Sequence, residues 1–141
     1  MKSLSTLFKT ANIIAAFGWA ILIFLPNWEL ADASIKYGIV VSLSVFYLYL
    51  IFVRKDIHGK NYPKGNLTSL RGVLELFQNP RNLLAGWAHY LAFDLMLGIY
   101  IKHQANEIGM SHALQIPCFL LTFILGPAGY LLFVILEICI K

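Results

Sequence analysis

Long apolar runs separated by short polar punctuation dominate this chain. Crossing about 30 Å of hydrocarbon takes ~20 apolar residues in helix, and four stretches meet that need: 7–25, 35–53, 83–101 and 113–140. The first is strictly apolar only from Ala11 to Leu25. It reaches length by starting at Leu7, with Lys9 snorkelling to the interface. Trp28, Tyr37 and Tyr100 fall at span ends, where amphipathic rings prefer the headgroup layer. The pattern predicts an all-α integral membrane four-helix bundle, with residues 1–141 as a single membrane domain.

Between spans two and three the pattern changes. Gly59, Asn61, Pro63 and Gly65 mark a turn-rich stretch. Thr68 or Ser69 then caps a short helix running to about Gln78, where Asn79-Pro80 stops it. Leu70, Val73, Leu74 and Phe77 share one face of that helix, which predicts an interfacial amphipathic element lying under the bundle. The bland alternative is a solvated loop with scattered apolar residues.

Charge placement orients the spans. Lys2, Lys9, Arg54, Lys55, Lys60, Lys64, Arg71, Arg81 and Lys141 fall on one side, and only Lys36 and Lys102 on the other. Cationic residues concentrate on the cytoplasmic side, so both termini are expected there. Lys2 and Lys9 before an apolar run, with Ala31-Asp32-Ala33 beyond it, resemble a secretory signal. Pro26, Trp28 and Glu29 intervene, however, so the segment reads as a retained helix. No Arg- and Ser-rich transit peptide precedes it, and the expected location is a bacterial inner membrane.

Composition narrows the chemistry. Of 141 residues, 59% are hydrophobic and 13% charged, about half the charged share of a soluble domain. The net charge of +4 sits on a loop between apolar spans and does not form a nucleic-acid surface. Cys118 and Cys139 both lie in the last apolar stretch, without metal-site spacing, and read as small packing residues. No phosphate loop, nucleophile elbow, HExxH or CxxC is present. Neither a metal nor a cofactor is expected; heme ligation by His89 and His112 is disfavoured because the two sit at different depths.

Polar residues inside the spans are concentrated in the third and fourth. Asp94 lies near the midpoint of span three, where a carboxylate costs about 2.5–3.5 kcal/mol on insertion scales. It therefore has a partner, faces a wet cavity or is protonated. Tyr90 and Trp87 precede it by four and seven residues and share its face, and Gly98 leaves that face open beyond it. His89 lies about 140° around the helix, so a His–Asp bond within this helix is not expected. In span four, Pro127 predicts a kink that frees the carbonyl of Phe123. Cys118, Thr122, Gly126 and Gly129 form a small-residue stripe, expected to pack on span three with Thr122 near Asp94 or His89. Polar residues in such positions also serve simply as hydrogen bonds between helices.

Leu76-Phe77-Gln78-Asn79-Pro80, Ala85-Gly86-Trp87-Ala88-His89-Tyr90-Leu91-Ala92-Phe93-Asp94-Leu95, Gly109-Met110-Ser111-His112 and Pro117-Cys118-Phe119-Leu120-Leu121-Thr122-Phe123 with Gly126-Pro127 carry a resemblance. Together with Leu25-Pro26-Asn27-Trp28 they resemble the neoxanthin-synthase-like family, named for the fourth abscisic-acid-deficient locus of plants. The family often has Arg-Asp-Ala after span three where this chain has His103-Gln104-Ala105, and Ile-Pro-His where it has Met110-Ser111-His112. An acidic group is therefore expected to be missing at the outer mouth.

The resemblance implies action on a carotenoid or related isoprenoid within the bilayer. Opening an epoxide to an allenic alcohol needs an acid at oxygen and a base at a carbon-bound proton. Asp94 is the expected acid and His89 the expected base, with Trp87, Tyr90, His112 and Thr122 lining the substrate. Two alternatives stay open: a non-catalytic module that holds a carotenoid or supports a partner enzyme, and a purely structural membrane subunit. Expected partners are membrane lipid, an isoprenoid ligand, and a second copy or another membrane protein; nucleic acid is not among them.

Overall fold

The computed structural model describes residues 2–52 and 62–140. Arg54, Lys55, Gly59, Lys60, Asn61 and Lys141, used above for topology and turns, lie outside the described residues. The described chain is all helical: α1 (Lys2–Phe24), α2 (Ala31–Phe52), α3 (Leu70–Phe77), α4 (Pro80–Glu107), α5 (His112–Leu125) and α6 (Pro127–Ile140). Three of these, α1, α2 and α4, are long and apolar enough to cross a membrane. Their bounds overrun the apolar runs that announce them, because a helix continues into the interface until a breaker stops it. For α1 the breaker is Pro26, whose ring disfavours helical backbone at Leu25. Within α2, Ser34–Val40 winds as a π-helix, a wider turn that seats Ile35 and Val40 in the core.

The short helix forms as its capping chemistry dictates. Ser69 is extended and its hydroxyl accepts from the Gly72 N–H at 3.1 Å. Asn79 does the same for α4, accepting from Arg81 N–H at 2.9 Å, with Pro80 at the first helical position where its missing donor is harmless. The Asn82 amide reaches back to the Leu76 carbonyl and the Arg81 guanidinium to the Leu50 carbonyl, so α3 and α2 are both stitched to the start of α4. Leu67, Leu70 and Leu74 on α3 and its approach remain exposed.

Helix α4 is the centre of the bundle. Its Leu84, Ala88, Leu91, Ala92, Leu95, Ile101 and Ala105 are buried, against Ala11, Ala15, Trp19 and Leu22 of α1 and Leu43 and Leu50 of α2. Small residues at these contacts let the helices approach closely, the main source of association where lipid is as apolar as the side chains. Gly98 does not leave an opening beside Asp94: the indole of Trp19 fills it, and a Cβ there would lie 2.9 Å from the ring.

The last apolar stretch is not one kinked span. Gly126 has φ +46°, a left-handed conformation that stops α5, and Pro127 begins α6 afresh. A straight helix would separate Cys118 and Gly129 by about 16 Å. Instead, a Cβ at Gly129 would lie 2.5 Å from the Cys118 carbonyl and in contact with Thr122, so α6 folds back against α5. The Tyr130 ring, 6.1 Å from that of Tyr100, shows the direction, since Gly126 itself lies against Asp94. Each arm has 14 residues and is about 21 Å long, too short to cross alone. The expected fourth span is thus a helical hairpin whose tip lies at the level of Asp94. The small-residue stripe serves this fold: Gly129 seats on Cys118 and Thr122 of its own hairpin, and Gly126 is the member that meets Asp94.

Candidate functional site at the helix break

Asp94 is 6% exposed at the middle of α4, the longest helix. Its carboxylate faces Gly126, where a Cβ would lie 2.7 Å from Oδ1. Its other oxygen, Oδ2, is buried without a hydrogen-bond partner among the described residues. One turn earlier, Tyr90 stands beside the carboxylate and donates its hydroxyl to the Ile124 carbonyl at 2.9 Å. Where the helix breaks, the chain loses backbone donors and must find others in lipid. Tyr90 supplies one to Ile124, next to the Phe123 carbonyl that the proline was expected to free, and the Gly126 N–H closes on the Thr122 carbonyl at 2.7 Å.

Trp87 extends the same face. Its indole stacks on Tyr90 with ring centroids 5.2 Å apart, touches Phe8 at 5.6 Å, and donates Nε1–H to the Asn12 side chain at 3.2 Å. Beyond it, towards the end where α1 and α4 begin, lies a cleft of ≈ 360 Å³ lined by Leu4, Ser5, Phe8, Pro80, Leu83, Leu84 and Trp87. Among the described residues its lining is apolar apart from the Ser5 hydroxyl and the Trp87 indole N–H. Cleft, Trp87, Tyr90 and Asp94 therefore follow one another along one face of α4, the cleft's lining ending at Trp87.

The other expected site residues lie elsewhere. His89 is on the opposite side of α4, stacked on Phe93 at 4.4 Å and near the Tyr47 ring of α2 at 5.8 Å. The structure does not bring it together with Asp94. His112 caps the far end, its Nε2 2.9 Å from the Ile23 carbonyl. Thr122 is fully buried and donates its hydroxyl to the Cys118 carbonyl at 2.7 Å, so it braces α5.

A polar cluster that sequence reading passed over sits at the loop end of the bundle. Lys102 is 7% exposed and pairs with Asp32 at 2.8 Å, and His103 approaches the other Asp32 oxygen at 3.0 Å. Asp32 of α2 thus supplies an acidic side chain at this end, while the position of the family's Arg-Asp-Ala run holds His103-Gln104-Ala105. Gln115, 1% exposed, donates to Asn106 and to the Met110 carbonyl just inside it. Helical spacing offered one signal: Asp94, Gly98, Lys102 and Asn106 recur every four residues along α4.

The sequence matches the profile of the ABA DEFICIENT 4-like family over residues 6–133, which takes in α1 to α5, the break and half of α6. The chain belongs to the ABA DEFICIENT 4-like (ABA4-like) family. The family stretch thus contains every residue named from cleft to carboxylate except Leu4 and Ser5. No curated protein and no solved structure matches the chain.

Proposed function

We propose that this ABA4-like membrane protein holds a carotenoid or other isoprenoid in the α1–α4 cleft and performs acid–base isomerisation on it at Asp94. The observation that carries the reading is the succession along α4 of an apolar cleft, two stacked aromatic rings and a buried carboxylate with a free oxygen. An extended polyene suits this shape: its tail occupies apolar space while aromatic faces guide its functionalised end inward. Opening an epoxide to an allenic alcohol breaks one C–O bond, places a proton on that oxygen and removes one from carbon. No proton is gained or lost overall. His89 faces α2 and does not share this work, so the carboxylic acid gives its proton to the epoxide oxygen and the resulting carboxylate accepts the carbon-bound one. Tyr90 positions the reacting end.

A non-catalytic reading draws on the cleft itself, which has no carboxylate or imidazole in its lining. In that case the protein retains the isoprenoid, or presents it to a partner enzyme or a second copy, and Asp94 only seals the helix break. We place the chain in a bacterial inner membrane with its N-terminus cytoplasmic, on the distribution of Lys and Arg.

One experiment separates the two. The protein is purified in detergent from its own membrane, its 350–650 nm spectrum recorded, and extracted pigments are compared between wild type and Asp94→Asn by mass spectrometry. Bound carotenoid with conversion lost in Asp94→Asn supports the enzyme. Bound carotenoid with conversion unchanged supports the holding module. A blank spectrum, with pigment profiles identical with and without the gene, removes both.

A further inference from the structure

The charge at Asp94 raises a question that the isoprenoid reading leaves open. At this depth α1, α2, α5 and α6 carry no charged side chain; Glu137 is eleven residues past the break and His112 is at the far end of α5. Along α4 the next cation is Lys102, eight residues or about 12 Å away, and it is already paired with Asp32. Among the described residues, then, no cationic side chain is paired with the carboxylate.

Two further oxygens lie close by. The carboxylate has a free Oδ2, Tyr90 places its hydroxyl beside it, and that hydroxyl bonds to the Ile124 carbonyl in the last turn of α5. The C-terminal end of α5 and the N-terminal end of α6 meet at this place, so the two helix dipoles offset one another there. A carboxylate, a phenol oxygen and a carbonyl at an interrupted membrane helix form a donor set for hard cations. There is only one carboxylate, and no group of three or more His, Cys, Asp or Glu occurs among the described residues. One negative charge balances one positive charge, which fits a monovalent ion and disfavours divalent or transition metals.

We propose that Asp94, Tyr90 and the Ile124 carbonyl at the α5–α6 break form a sodium-binding site at the centre of the membrane domain. The site goes beyond the isoprenoid reading and stands without it. Where both hold, sodium competes with the proton needed for the acid step, so the ion restrains the chemistry.

The test is thermal unfolding of the detergent-purified protein, followed by tryptophan fluorescence, in sodium chloride against choline chloride at equal ionic strength and pH 8. A ligand bound only by the folded state raises the midpoint with its concentration. The expected rise in wild type is on the order of 5–10 °C across about a hundredfold range of sodium. Potassium gives a smaller rise and choline none. Asp94→Asn abolishes the response, and Tyr90→Phe, which keeps the carboxylate, weakens it. Equal midpoints for wild type in sodium and choline, or the same sodium response in Asp94→Asn, overturn the site. The wild-type comparison alone decides the matter if Asp94→Asn does not fold. A blank pigment spectrum leaves this result untouched, so failure of either proposal is recognised separately.

Discussion

Gly126 is the residue on which the hairpin turns. It combines a positive φ with a carboxylate oxygen against its Cα, so any side chain meets both a strained backbone and Asp94. Gly126→Ala is expected to cost about 2 kcal/mol or more, on backbone strain of about 1–2 kcal/mol plus the clash, read as a lowered unfolding midpoint. Tyr90→Phe tests a milder contact. It leaves the Ile124 carbonyl without its donor, and membrane hydrogen bonds of this kind are worth about 0.6 kcal/mol on average, so a loss near 1 kcal/mol is expected. A third prediction concerns Lys102, which is buried and depends on Asp32 for its counter-charge. Removing one partner of a fully buried pair costs about 3–5 kcal/mol. Asp32 is about one-third exposed, so Asp32→Asn is expected to cost about 2 kcal/mol. Charge reversal of both residues together should restore part of the loss.

At the scale of elements, α3 is the piece whose surroundings are least covered by the rest of the chain. Leu67, Leu70 and Leu74 are 78%, 78% and 61% exposed, while Arg71 on the same helix reaches outward to Glu75. Such a helix is expected to rest its apolar face in the interfacial layer. A spin label at Leu74 should be accessible to oxygen, which partitions into lipid, and shielded from a water-soluble relaxer; the reverse would place α3 in water. Helix α3 was also the element most legible beforehand. Its cap at Ser69, its apolar face and its stop before Asn79-Pro80 are all written within residues 69–80, where local chemistry decides. The same holds for α1, α2 and α4, because twenty apolar residues in lipid have no alternative to helix. The hairpin was not legible. A Gly-Pro pair in an apolar run has the same appearance whether it kinks a helix or ends one, and the choice depends on what Gly129 can pack against. Nor was the Asp32–Lys102 pair, whose partners are seventy residues apart. The Trp87–Tyr90–Asp94 face, by contrast, followed from spacing on a single helix; its mouth on α1 did not.

The described molecule is two long helices, α1 and α2, packed on a third, α4, with a hairpin wedged at one end. That arrangement makes a prediction about sidedness. Because α6 turns back towards the end where α5 begins, exposed Cys139 should lie near the membrane face opposite the N-terminus. A membrane-impermeant thiol reagent added to intact cells should label Cys139, while buried Cys118 stays silent and reports on folding. Labelling only after the cells are opened would instead show a C-terminus on the cytoplasmic side, as the cationic flank at Lys141 suggests on charge alone. The compact hairpin also explains why the site has its composition. A break placed at mid-depth brings backbone oxygens to a place where a continuous helix would show only side chains.

The fold-back has a consequence for how the protein is made. The first three long helices can be handed to the bilayer one at a time as they leave the ribosome, each long enough to be recognised as a crossing. The two arms of the hairpin are each shorter than a crossing needs, and they are synthesised after the three long helices. They must enter as a pair, after the seam that receives them on α4 has been assembled. Asp94 then spends the interval before docking without the helix break that surrounds it in the finished protein. Biogenesis therefore has a late step in which membrane quality control can see an unpaired carboxylate, and a chain truncated within α5 is expected to be removed there.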